Sequence, residues 1–102
     1  MITELTGSQR KYLRAAAHHL NPLVLVGKLG MTDALVRAAA EALDAHELVK
    51  VRFLDFKDRK REWTEELARR TGAHIVGSVG HIYILYRQNP EEEKRVITLP
   101  GA

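Results

Sequence analysis

The chain has 102 residues, 45% of them hydrophobic and 28% charged, with a net charge of +3 and a pI near 9.4. That length holds one hydrophobic core, hence a single domain over residues 1–102, and the absence of cysteine removes disulfides and thiolate chemistry and fits a reducing cytoplasm. Sixteen Lys and Arg against thirteen acids is a mild basic balance, which selects nucleic acid as a partner only if the cations gather on one face.

Met1-Ile2-Thr3-Glu4 lacks a basic leader followed by an apolar run, and no stretch is long enough to span a bilayer, so a soluble cytoplasmic protein with no membrane partner is expected. Thr6-Gly7-Ser8-Gln9 matches the capping-box pattern and starts a helix that should run to about Leu20, where Asn21-Pro22 stops it. Leu13, Ala16, Ala17 and Leu20 make its apolar stripe. Arg10, Arg14 and His18 follow one another at i, i+4 on another face, the most one-signed face in the chain. It reads either as a solvated helix surface or as a track for phosphates.

Leu23-Val24-Leu25-Val26 is an apolar run without alternation, as in a strand covered on both faces. It enters Gly27-Lys28-Leu29-Gly30, and Thr32 then caps a second helix with Asp33 in its first turn. Glycines at both ends let the backbone turn tightly and let another chain approach it, while Lys28 projects into solvent. This is not a nucleotide-triphosphate loop, because Pro22 stands where the first glycine belongs and Leu29 where Ser or Thr belongs. What remains is a G-x-x-G turn of the KH kind, which clamps the backbone of about four nucleotides through main-chain N–H groups. A plain turn has the same sequence.

The second helix spans about Asp33 to Ala45, with Ala34, Leu35, Ala38, Ala42 and Leu43 inward and Arg37 one turn beyond the loop, placed to reinforce Lys28. Glu47 to Asp55 alternates as a strand, with Val49, Val51 and Phe53 on one face and Lys50 and Arg52 on the other with Leu48 and Leu54. A strand reached through a helix is parallel to the one before it. Asp58 is placed to cap a third helix that closes at Gly72, with Leu67 and Ala68 inward and a face of interleaved charges outward. His74–Val79 and Ile82–Arg87 flank Gly80-His81, the signature of a two-residue type II′ hairpin. Residues 89–102 form a C-terminal tail, a short edge strand or a segment folded along the surface.

Catalytic constellations are missing. The five histidines lie in different elements without metal-ligand spacing, Ser8 and Ser78 sit in no nucleophile elbow, and the carboxylates lie beside cations. No enzyme, cofactor, metal or small-molecule substrate is expected.

Several motifs in order give the chain a resemblance to the CRM domain family in its stand-alone, YhbY-like form. They are Leu5-Thr6, Leu13-Arg14, Ala17-His18, Pro22 before the strand, Gly27-Lys28-Leu29-Gly30, Glu47-Leu48-Val49-Lys50-Val51, Thr71-Gly72-Ala73, Gly80, Leu85-Tyr86-Arg87 and Thr98-Leu99-Pro100. The resemblance implies an α/β domain of α-β-α-β-α-β-β order with a mixed four-stranded sheet, similar to the C-terminal domain of translation initiation factor three. It also implies RNA binding, namely of precursor ribosomal RNA of the large subunit, and so assistance to ribosome assembly; plant relatives carrying several such domains act in group II intron splicing. A monomer is expected. By position, RNA contact falls on Gly27, Lys28, Leu29 and Gly30, then on Lys50 and Arg52 and on Arg10, Arg14 and His18. Trp63 departs from the smaller aliphatic residue expected there, which bears on the packing of the third helix and not on the loop. A DNA-binding module or a protein-interaction domain using the same basic surface are the competing readings.

Overall fold

The computed structural model describes residues 4–101; the Met1–Thr3 part of the N-terminal reading and Ala102 of the tail lie outside them. The elements follow the expected order: α1 (Gly7–Ala17), β1 (Val24–Val26), α2 (Asp33–His46), β2 (Leu48–Phe53), α3 (Lys60–Thr71), β3 (His74–Val79) and β4 (Ile82–Tyr86). The sheet is mixed, in the order β1-β2-β4-β3, with β1 parallel to β2 and the other pairs antiparallel. In the β3–β4 turn Gly80 has φ +59 while His81 stays at negative φ, as a type II′ turn requires.

Pleating divides the core in two. Val24, Val26, Val49, Val51, Phe53 and Leu85 face Ala39 and Leu43 of α2 and Leu67 and Ala68 of α3. On the opposite face Leu48, Val76, Ile84 and Tyr86 pack against Leu13 and Ala17 of α1, with Leu5, Ile97 and Leu99 around them. So α1 lies alone on one side of the sheet and α2 and α3 share the other.

Four sequence expectations change. First, α1 stops at Ala17: His18 and Leu20 donate 3-10-type bonds to Ala15 and Ala17 in the last turn, and Ala16 and Leu20 are exposed rather than part of the stripe. Second, β1 is an edge strand buried on one face only. Val24 and Val26 are inside, but Leu23 and Leu25 are 55% and 52% exposed because α1 covers β2, β3 and β4 instead. Third, the buried stripe of α2 is Leu35, Val36, Ala39, Ala42 and Leu43, leaving Ala34 and Ala38 outside. Alanines on every side of that helix gave no phase. Fourth, Asp58 caps nothing. Phe56 turns left-handed (φ +54) and a 3-10 turn (Lys57–Arg59) containing Asp58 leads into α3.

The tail is not a strand. It crosses the α1 side of the sheet through a 3-10 turn (Glu92–Lys94), and its anchor is Glu47. That side chain is fully buried and accepts from the N–H groups of Asn89 (2.6 Å), Val96 (2.8 Å) and Ile97 (3.0 Å). On α3 the interleaved charges pair as expected, in Arg59–Glu62, Arg61–Glu65 and Arg70–Glu66. Exposed pairs of this kind contribute about 0–1 kcal/mol each.

Candidate nucleic-acid interface

Residues 27–30 form a closed turn at the end of β1. The Gly30 N–H donates to the Gly27 carbonyl at 3.0 Å, and the Thr32 N–H then donates to Gly30 at 3.1 Å. Thr32 caps α2 through its hydroxyl, which accepts from the Leu35 N–H at 3.1 Å. The amides of Lys28 and Leu29, at the tip of the turn, have no partner among the described residues, and neither does the Lys28 ammonium. Leu29 is 87% exposed. Asp33, in the first turn of α2 just after the loop, is engaged by Arg70 of α3 at 3.0 Å, which offsets its charge there.

The two glycines are not equivalent. Gly30 has φ +69, and a Cβ there would meet the Trp63 ring at 3.2 Å. Gly27 has ordinary φ and open space where a Cβ would go. Gly30 is thus required by the fold, whereas the bare Gly27 backbone leaves room for something outside it. Gly30→Ala should cost about 1–2 kcal/mol in a denaturant titration. Gly27→Ala should leave the unfolding curve in place and act only on ligand binding.

Trp63 is the floor of this loop. Half-buried against the main core, it touches Gly30 on one side and stacks at 4.8 Å, tilted 47°, on Phe56. The expectation that it bears on α3 packing and not on the loop is therefore corrected.

The topology places three connections at the same end of the sheet: the Gly27–Gly30 turn after β1, the segment after β2 and the β3–β4 hairpin. Phe53 N–H donates to the His81 carbonyl, and Leu54 and Asp55 N–H groups donate to Val26. Lys28, Arg52, Lys57 and Lys60 consequently make a basic rim there, with the His81 ring beside them. Lys60 donates to the Gly80 carbonyl at 2.9 Å and lies 3.2 Å from His81 Nδ1. Partial desolvation in the hairpin, followed by the charges of Lys60, Lys57 and Arg52, holds His81 below its usual pKa. Sequence reading missed Lys57, Lys60 and His81, because only the strand order brings them to the loop.

The remaining sequence-derived candidates lie apart from the turn. Arg10 and Arg14 donate to the Ile75 and Val76 carbonyls of β3 (2.6 and 3.2 Å), at a bulge between Ile75 and Gly77. Lys50 donates to the Leu20 carbonyl at 3.0 Å. These three cations thus hold α1 and its exit to the sheet. Arg14, His18 and Lys50 nevertheless converge on one shallow hollow with Val79, Ile82 and Ile84. Arg37 is exposed on α2, on the other side of the sheet from that hollow. Among the described residues no group of His, Asp and Glu is arranged to hold a metal, and no helix is long and apolar enough to cross a membrane.

This arrangement matches known proteins along nearly its whole length. The CRS1/YhbY (CRM) domain model fits residues 5–87. The chain is 38% identical over 97 residues to the "Probable RNA-binding protein YqeI" of Bacillus subtilis, covering 94% of this chain and 99% of that protein. It is 36% identical over 96 residues to an RNA-binding protein of Haemophilus influenzae, covering 93% and 95%. The solution structure of SAV1595 from Staphylococcus aureus superposes with a TM-score of 0.78 at 34% identity, covering 95% of this chain and all of that one.

Proposed function

The chain belongs to the CRS1/YhbY (CRM) domain family, and from that premise we propose that it binds RNA, holding precursor RNA of the large ribosomal subunit during assembly. It does so in the cytoplasm as a monomer, with no catalytic step and no cofactor. The observation that carries this reading is the Gly27–Gly30 turn, whose tip amides and Lys28 ammonium are free beside a rim of Arg52, Lys57, Lys60 and His81. Backbone N–H groups and a lysine at one tip suit a phosphate, and the rim extends that site along a sugar-phosphate chain.

The test is binding of labelled ribosomal RNA fragments across a salt series, parent against Lys28→Glu, with circular dichroism confirming that both are folded. Lys28 is fully outside the core, so the fold is expected to be unaffected. Affinity should fall about tenfold, and the log K against log salt slope should become shallower by about one phosphate contact. Unchanged affinity and slope would remove the loop from the interface.

A further inference from the structure

The α1 side of the sheet is covered only in part. Across the four strands Leu25 lies beside Arg52, Arg52 beside Ile82, and Ile82 beside Val79, all on the face away from α2 and α3. In the next row Lys50 lies beside Ile84, and Leu23 joins it through a bond from its N–H to the Lys50 carbonyl. Leu25 and Val79 (73% exposed) have no helix above them, and Leu23 flanks them. Leu25 also lines the hollow formed by residues 27–30 and the start of α2, so the open sheet face and the loop are one continuous surface. Its cations are Lys28, Arg52, Lys50 and Arg14, with the His18 side chain beside them, and no carboxylate is among the residues of either row or of the hollow they share.

We propose that this open half of the sheet receives the bases of single-stranded RNA whose backbone is held by the Gly27–Gly30 turn. The inference rests on the RNA-binding reading and specifies its ligand. A duplex would present only phosphates and sugar hydroxyls here and would leave Leu23, Leu25 and Val79 in contact with ionic groups or water. An unpaired strand satisfies both parts of the surface, with its phosphates on the cations and its bases on the aliphatic side chains. Three inter-strand spacings of about 4.8 Å give roughly 14 Å, the width over which a four-stranded sheet takes two or three bases. The contacts are aliphatic, so they discriminate little among bases but strongly between unpaired and paired RNA.

Anisotropy titrations of a labelled single-stranded RNA oligonucleotide and of an RNA duplex of the same sequence test this, using Leu25→Thr with Val79→Thr, Leu25→Phe and Lys28→Glu. Threonine retains strand preference at both exposed positions. The double threonine variant should weaken single-strand binding about tenfold, leave the salt slope unchanged and leave duplex binding untouched, since it removes apolar contact and no cation. Leu25→Phe should tighten single-strand binding by offering a stacking ring. If both face variants bind single strands like the parent while Lys28→Glu does not, the sheet-face proposal fails and the loop reading stands. If Lys28→Glu also binds like the parent, the RNA-binding reading of the loop fails with it. If light scattering shows a parent dimer that the threonine variant dissociates, the face belongs to a second copy and the proposal is overturned.

Discussion

Glu47→Ala should be strongly destabilising, lowering the unfolding free energy by about 3–5 kcal/mol. The Glu47 side chain is fully buried, and its carboxylate is satisfied by three main-chain N–H groups of the tail. Removing it orphans those donors at once, and the tail can recover them only by leaving the surface for water. Leaving exposes Ile97, Leu99 and Leu5, which complete the smaller core. The backbone gives a second handle: Glu47 has φ +63 with ψ −38, a sparsely populated positive-φ conformation that costs a non-glycine residue about 1–3 kcal/mol. Glu47→Gly relieves that strain and still loses the clamp, so it should fall between the parent and Glu47→Ala. Nearby, burial and then the Glu47 charge push the Tyr86 hydroxyl up to about 12, so it stays protonated beside the carboxylate. Denaturant titration gives the ranking. Hydrogen exchange at the Asn89, Val96 and Ile97 amides separates release of the tail from general loosening. Parent-like protection of those three amides in Glu47→Ala would show that the tail is held by apolar packing alone.

The parts of this fold legible in the sequence were those set by local chemistry. Thr6 and Gln9 form their capping box, Gly72 closes α3, Gly80 makes the hairpin turn, and the alternation of β2 divides Val49, Val51 and Phe53 from Lys50 and Arg52 as expected. What could not be read depends on contacts between distant residues. Whether β1 is covered twice or once depends on where α1 packs, and no residue of β1 encodes that. The bulge in β3 exposes carbonyls to Arg10 and Arg14, and a Cβ on Gly77 would come within 2.7 Å of the Arg14 side chain. That glycine is the one local trace of the contact. Glu47 carried a signal too: a carboxylate between a helix and an apolar strand, at a position where glycine would be usual, implies donors elsewhere in the chain. The candidate interface divides in the same way. The G-x-x-G turn was visible as a motif, while Lys57, Lys60 and His81 join it only because a parallel pair and a hairpin finish at the same end of the sheet.

The support beneath the turn leads to the second large expected effect. Trp63→Ala should cost about 2–4 kcal/mol in stability, at the lower end for a truncated tryptophan because the ring is only half-buried. Its consequence for binding should exceed what that loss of stability alone would bring. The ring meets Gly30 and Phe56 together, and both are held at left-handed φ. Without it the turn keeps its internal bond from Gly30 N–H to the Gly27 carbonyl but loses the surface that fixes its direction. RNA affinity should therefore fall about tenfold at temperatures well below the midpoint, where the variant is still almost wholly folded, through misplacement of the tip amides. The salt slope should remain that of the parent, because no cation has been removed. This separates position from charge: Lys28→Glu changes the slope, and Trp63→Ala changes the affinity alone. Trp63→Phe, which retains a ring against Gly30, should restore most of the binding while recovering only part of the stability. If Trp63→Ala instead binds RNA like the parent once corrected for its folded fraction, the turn is rigid by its own hydrogen bonds, and Trp63 serves the core alone.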